Sequence, residues 1–389
     1  MFSTRSRFDL SPNSLTLRLR QLTDQGRRIV DLTVSNPTAV HLDYPSRAIL
    51  QTLGAPEVLT YDPEPSGLES ARSAIRKLYA ERGVQIEVRD ILLTASTSEA
   101  YAYLFKLLTD PGDRILVPEP SYPLFHFLAR LESVEIVPYP LHYADDWYCD
   151  LPVLEQLAAR HRPRAILVVH PNTPTGSFMQ AHELALIREV CRREDAALVC
   201  DEVFTDYRLD AAEIVDAADD DSVLTFVLNG LSKMLLLPQL KLGWILLRGP
   251  AQARGRARER LELIADTFLS VNTVSQVALG PLLDLKDGLQ ETALRRLREN
   301  LEFLRRSLAG HPAQVLRIGG GWSAVVRVPS QRTDEEWCLE WLEAHGVLVH
   351  PGSFFDFPSG DHVVVSLLTE PAAFETGVRL LLETLHAFD

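Results

Sequence analysis

Lys233 is the residue of this chain best placed for covalent chemistry. It follows an apolar run at residues 223–228, in the segment Asn229-Gly230-Leu231-Ser232-Lys233. Burying an ammonium is costly unless it is paired or used. A lysine stripped of part of its hydration releases its proton more readily and becomes a nucleophile toward carbonyls. A second cation, Lys241, precedes Gly243-Trp244 and a further apolar run at 245–247. Taken alone, the segment reads equally as a strand-loop-strand element with two solvated lysines. The acid pair Asp201-Glu202 ends another apolar run, 196–200. In an open α/β sheet such a pair points into a cleft. A metal-ligand or general-base role competes, but no His/Asp partners stand at metal spacing. A third group is Ser96-Thr97-Ser98-Glu99, between a short strand and an apolar helix. Hydroxyl residues there expose backbone N–H groups that favour an anion, and they also make an ordinary N-cap.

The elements that must position these groups alternate. Strands are expected at 29–34, 91–93, 114–117, 165–169 and 196–200. The continuous apolar runs at 165–169 and 196–200 have the pattern of strands buried on both faces. Helices are expected at 11–25, from after Gly67 to about Glu81, and at 100–108, 181–193 and 252–267, with one long amphipathic stretch from 276 to 308. The C-terminal part reads as strands near 322–328, 347–350 and 362–368, with helices near 334–344 and 372–388. Alternating strands and helices imply a mostly parallel sheet.

A chain of 389 residues implies two or more structural units, and 46% hydrophobic content suffices for a large core. The net charge of −14 without a basic stripe argues against a nucleic-acid partner. No apolar run has the length of a membrane span, and no apolar stretch follows the charged start, so no signal peptide is expected. Cys149, Cys191, Cys200 and Cys338 are scattered and read as reduced, buried residues of a cytoplasmic protein.

Six segments, taken in order, resemble the fold-type I pyridoxal phosphate (PLP) enzymes of the aspartate aminotransferase superfamily. They are Tyr61-Asp62-Pro63-Glu64-Pro65-Ser66-Gly67, residues 94–100, Tyr122 in a Pro-rich loop, His170-Pro171-Asn172-Thr173-Pro174-Thr175-Gly176, Asp201-Glu202-Val203-Phe204, and Ser232-Lys233 with Pro238, Leu240, Gly243 and Trp244. The resemblance implies a seven-stranded, mostly parallel sheet sandwiched by helices, with a smaller α+β domain. It implies a large PLP-binding domain at 47–275, flanked by small-domain parts at 1–46 and 276–389. It also implies a homodimer with shared active sites. Lys233 would carry the cofactor as a Schiff base and shuttle the proton, and Asp201 would hold the pyridine nitrogen. Ser96, Thr97, Ser98, Ser232 and Lys241 would hold the phosphate, joined by Tyr61 from the partner subunit. Tyr122 would stack on the ring, and Asn172, Thr173 and Phe204 would border its phenolic oxygen. The implied activity is amino transfer between an amino acid or related amine and a 2-oxo acid. A lyase, cyclase or racemase on the same fold is the alternative, and a PLP-binding protein with little turnover is the next.

The departures from the pattern are specific. Gly230, Gln239 and Lys241 differ from the usual lysine segment. Thr173 replaces the usual asparagine of its loop, with Asn172 adjacent. Val364 stands where an arginine would grip the substrate carboxylate, leaving Asn36, His350, an upstream arginine or a substrate without that group. Phe204 replaces a tyrosine and cannot donate a hydrogen bond, and Thr173 has one short hydroxyl. Fewer donors leave more negative charge on the phenolic oxygen, so the nitrogen joining Lys233 to the cofactor keeps its proton across neutral pH. Phe204→Tyr is therefore expected to lower the pKa of that nitrogen. A spectrophotometric pH titration of the two holoproteins checks this, and an unchanged curve would mean another donor fills the role.

Overall fold

The computed structural model describes residues 1–210 and 215–385. In chain order its strands are β1 (Val30–Asp31), β2 (Ile91–Thr94), β3 (Arg114–Glu119), β4 (Glu135–Tyr143), β5 (Trp147–Cys149), β6 (Ala165–Val169), β7 (Ala197–Asp201), β8 (Thr225–Gly230), β9 (Gly243–Arg248), β10 (Gln314–Val315), β11 (Ser323–Arg327), β12 (Val347–Leu348), β13 (His350–Pro351) and β14 (His362–Ser366). The main sheet runs β2-β9-β8-β7-β6-β3-β4-β5. Strands β8, β7, β6, β3 and β4 are mutually parallel, and β9 lies antiparallel to both of its neighbours. The resemblance implies seven strands. The eighth, β5, is a three-residue hairpin partner to the end of β4.

The core follows from strand alternation. Ile166 and Val168 of β6 join Leu198 and Cys200 of β7 on one face. Leu167, Val169 and Val199 face the other way, under the helices Thr97–Leu108, Leu124–Leu131 and Ala251–Phe268. Both faces are covered, which is why these strands are apolar throughout. The four cysteines are free and buried. Among the described residues no helix is long and apolar enough to cross a membrane.

The chain ends form a second body of sheet. Strand β1 pairs in parallel with β12, and the four-stranded antiparallel sheet runs β10-β11-β14-β13. The strand expected at 29–34 is regular only over Val30–Asp31. The Asp31 carboxylate turns back to accept the Thr33 N–H at 2.7 Å and the Thr33 hydroxyl at 2.6 Å, which ends the ladder. The backbone still bonds on, through Leu32 N–H to Leu348 and Ser366 N–H to Leu32. The amphipathic stretch expected at 276–308 is two helices, Thr273–Leu283 and Lys286–Ser307, parted by a turn just after Pro281. The second of these makes two distant anchors. Gln290 Nε2 donates to the Met234 carbonyl, and Asn300 Nδ2 donates to the carbonyls of Leu367 and Thr369.

A buried charge network underlies the end of β7. Glu202 is fully buried, and Arg82 bridges it at 3.1 Å and Asp216 at 2.8 Å. Burial pushes the Glu202 carboxyl up to about 7 even with Arg82 beside it. Removing one partner of such a network leaves a buried charge uncompensated, at a cost of about 3–5 kcal/mol. Arg82→Met should lower the unfolding free energy by about that amount, read from urea denaturation. Glu202→Gln in the same background should recover part of it. An unchanged midpoint in Arg82→Met would show the network to be dispensable.

Candidate active site

The parallel strands β3, β6, β7 and β8 deliver their C-terminal ends to one edge of the main sheet, where open α/β folds bind ligands. A cleft of about 290 Å³ lies there, closed on its other side by β11, β13 and β14.

Lys233 stands on the floor of this cleft, in the single helical turn Leu231–Met234 that follows β8. Its Nζ lies 4.7 Å from the Trp322 ring centre and 5.3 Å from that of Phe204. Among the described residues it has no ion pair. Burial by the surrounding protein brings the ammonium down to about 8, against the opposing pull of Asp201. The backbone of this turn is held from three directions. The Tyr207 hydroxyl donates to the Lys233 carbonyl at 2.6 Å, Gln290 donates to Met234 at 3.0 Å, and the Tyr44 hydroxyl donates to Leu236 at 2.8 Å. Gly230, where a serine is usual, has a local cause. It pairs with Gly243, and a Cβ on it would meet Gly243 Cα and the Leu242 carbonyl at 2.9 Å.

Asp201 ends β7 and reaches the cleft as a buried carboxylate. The Tyr101 hydroxyl donates to its Oδ2 at 2.8 Å and the Val203 N–H to its Oδ1 at 3.1 Å. Burial raises its carboxyl above the usual range; those two bonds and Lys233 oppose the rise. Glu202 turns away to Arg82, so the two acids of the pair have separate environments.

Ser96 caps the helix Thr97–Leu108, its hydroxyl accepting the Glu99 N–H at 3.2 Å. Ser96, Thr97 and Ser232 line the cleft and Ser98 does not. Tyr122 lines it with its ring edge-on to Phe125, and Thr173 and Phe204 line it as well. Asn172 does not. Its amide donates to the Pro120 carbonyl and the Thr175 hydroxyl and accepts from Ser121, beside a separate cavity of about 20 Å³. Those bonds hold the loop and leave Asn172 no reach into the cleft, so Thr173 alone represents the loop there. Tyr61 is 73% exposed, outside the cleft. Lys241 is exposed in a left-handed turn with φ of 51° and does not line the cleft either.

Trp322 is the main residue that sequence reasoning missed. It packs edge-on against Phe204 and Tyr207 and roofs Lys233. The signal was the run Gly319-Gly320-Gly321 just before it. A Cβ on Gly320 would meet the Tyr207 carbonyl at 2.6 Å, and the Gly319 and Gly320 N–H groups both donate to Gly176. A glycine run in contact with the 170–176 loop therefore brings the next side chain to the site. Thr33, Ser35, Phe355 and Ser366 also line the cleft, with His350 and Val364.

A cleft holding a buried carboxylate, an unpaired lysine and a capped helix N-terminus has the donor set of a fold-type I enzyme. Residues 27–370 match the profile of the aminotransferase class I and II family, and the chain belongs to that family. It is similar to the glutamate-pyruvate aminotransferase AlaA of Escherichia coli, 29% identical over 88% of this chain and 87% of that one. It is also similar to the alanine aminotransferase of Mycobacterium tuberculosis, 28% identical over 88% and 82% of the two chains. Its fold matches the alanine aminotransferase of Pyrococcus furiosus with a TM-score of 0.90 over the full length of both, at 24% identity. Members of the family use pyridoxal phosphate, and this chain is a PLP-dependent aminotransferase.

The depressed lysine gives a direct test on cofactor-free protein. An amine reacts only when deprotonated, so labelling of Lys233 by an acylating reagent should rise with pH and reach half its plateau near pH 8. A lysine in an unstructured reference peptide, added to the same reaction, should still be rising at pH 10, as an ordinary lysine does near 10.4. Peptide mass mapping across a pH series reads both. Parallel curves would mean that Lys233 is not desolvated.

Proposed function

We propose that Lys233 is the residue that carries the cofactor and moves the proton, and that Asp201 is the acid that keeps the pyridine nitrogen protonated. The observation that carries this is the pairing, in one cleft, of a desolvated lysine that has no ion pair among the described residues with a buried carboxylate. The residues fit the group. A carboxylate already supplied with two donors stays charged more readily beside a protonated ring. The N–H groups at the start of the helix Thr97–Leu108, with Ser96, Thr97 and Ser232, suit a phosphate. Tyr122 offers a ring face for stacking. Bound there, PLP supplies an electron sink that weakens the bonds to the carbon bearing the amine. Lys233, with an amine near 8, is suited to take a proton from that carbon and return it as general base and acid. Trp322 and Phe204 keep bulk water from its Nζ. The substrates are an amino acid, or a related amine, and a 2-oxo acid.

The same reading includes a homodimer in which Tyr61 completes the partner's phosphate site, with Ser98 and Lys241 as further phosphate residues. Its support is an exposed Tyr61 beside Leu269, near the exposed Leu59 and Phe268, a patch that a second copy would cover. The division at 1–46, 47–275 and 276–389 is supported by β1 pairing with β12, which joins both chain ends in one body. The setting is cytoplasmic, in keeping with four reduced cysteines.

The test follows the donor half-reaction by absorbance and identifies the keto product by mass. Asp201→Asn should retain cofactor and lose at least about a hundredfold in rate. Lys233→Ala should fold normally and hold no covalent cofactor. Near-normal turnover in the first variant, or a covalent adduct in the second, would refute the assignment.

A further inference from the structure

The cleft has one positive charge, and that charge is the lysine the reaction needs. Among the described residues no arginine and no second lysine lines it. The eight residues outside the description contain neither type. Its walls are Tyr122, Phe204, Leu242, Trp322, Phe355 and Val364. Val364 is 2% exposed on the central strand β14, paired with Val325 on one side and His350 on the other. Two of the polar side chains that line it are already engaged. The Thr33 hydroxyl donates to Asp31, and the Ser366 hydroxyl donates to the Val34 carbonyl at 2.6 Å. His350 stands between Phe354 and Phe355, and burial holds its imidazole below the usual value, with Asp31 pulling the other way. So His350 is neutral at neutral pH, and the charge that acts on it is negative.

A carboxylate on the carbon bearing the amine would lose its water here with no cation of this chain to receive it, and with Asp31 acting on His350. Pairing it with Lys233 would hold the proton on the amine that has to act as base. An uncharged substituent meets neither obstacle. We propose that the preferred donor is a primary amine whose amine-bearing carbon carries no carboxylate, with aliphatic, aromatic or hydroxymethyl groups in its place. The inference rests on the aminotransfer reading and specifies its substrate. In the donor half-reaction the amine leaves as an aldehyde or ketone, its nitrogen and two electrons passing to the cofactor. The same walls meet the acceptor, so an aldehyde should outrun the matching 2-oxo acid in the return half-reaction.

The experiment uses the holoenzyme and three donors of one skeleton: L-phenylalanine, L-phenylalaninol and 2-phenylethylamine, with L-alanine and L-glutamate alongside. The second-order rate constant of cofactor conversion is read by stopped-flow absorbance. The two carboxylate-free donors should exceed phenylalanine by at least about tenfold. Val364→Arg should shift that ratio toward phenylalanine by a similar factor, and an unchanged ratio in a folded variant would overturn the role of this wall. If the variant does not fold, the wild-type ranking decides. Conversion by the carboxylated donors alone would overturn the proposal and leave aminotransfer standing. Conversion by none of the five would bring down the aminotransfer reading itself, and this proposal with it.

Discussion

Lys233 stays at the floor of the cleft because its backbone has nowhere else to go. A side chain with a charged tip and four methylenes gains most by turning to water. Here its turn is only four residues long, too short to be held by its own hydrogen bonds. Tyr207, Gln290 and Tyr44 supply the missing restraint by capturing three carbonyls in four residues. The consecutive buried leucines 235–237 hold the turn from below. Desolvation of the amine follows from that fixed position under Trp322 and Phe204.

The acid opposite is fixed with equal economy. Asp201 and Glu202 are neighbours in sequence with opposite duties. Strand alternation sends one toward the cleft and the other into the Arg82–Asp216 network. Glu202 also ties the strand sideways, because its carbonyl accepts from Asn229 on β8 at 3.0 Å. The segment before Lys233 is thereby tied to the residue after Asp201. The distance between Lys233 and Asp201 is set by the sheet itself and not by a loop.

Much of this was legible in the sequence wherever a chemical group sat at the end of an apolar run. Lys233, Asp201, Ser96 and Thr97 all stand at or just after the ends of strands whose burial on both faces shows as near-continuous apolar runs, and all four reach the cleft. Tyr122 and Thr173 follow strands too. Trp322 was hidden because it lies just before β11, outside the main sheet, and only its glycine run hinted at a close approach. Asn172 shows the limit of adjacency. One position separates it from Thr173, yet its amide is consumed in holding its own loop, and a sequence does not print hydrogen bonds. Tyr61 and Lys241 lie outside this cleft. The early end of β1 is a local competition, an aspartate turning on its own backbone.

The helix Lys286–Ser307 touches the turn of Lys233 through Gln290. Three turns further along, it touches the strand end after Val364 through Asn300. One helix thus holds the turn of Lys233 near one end and the strand end after Val364 further along. On the roles proposed above, rate and selectivity are geared to a single shaft, so a surface change that reseats the helix alters the two in step, and divergence toward a new substrate is easiest through side chains of the wall itself.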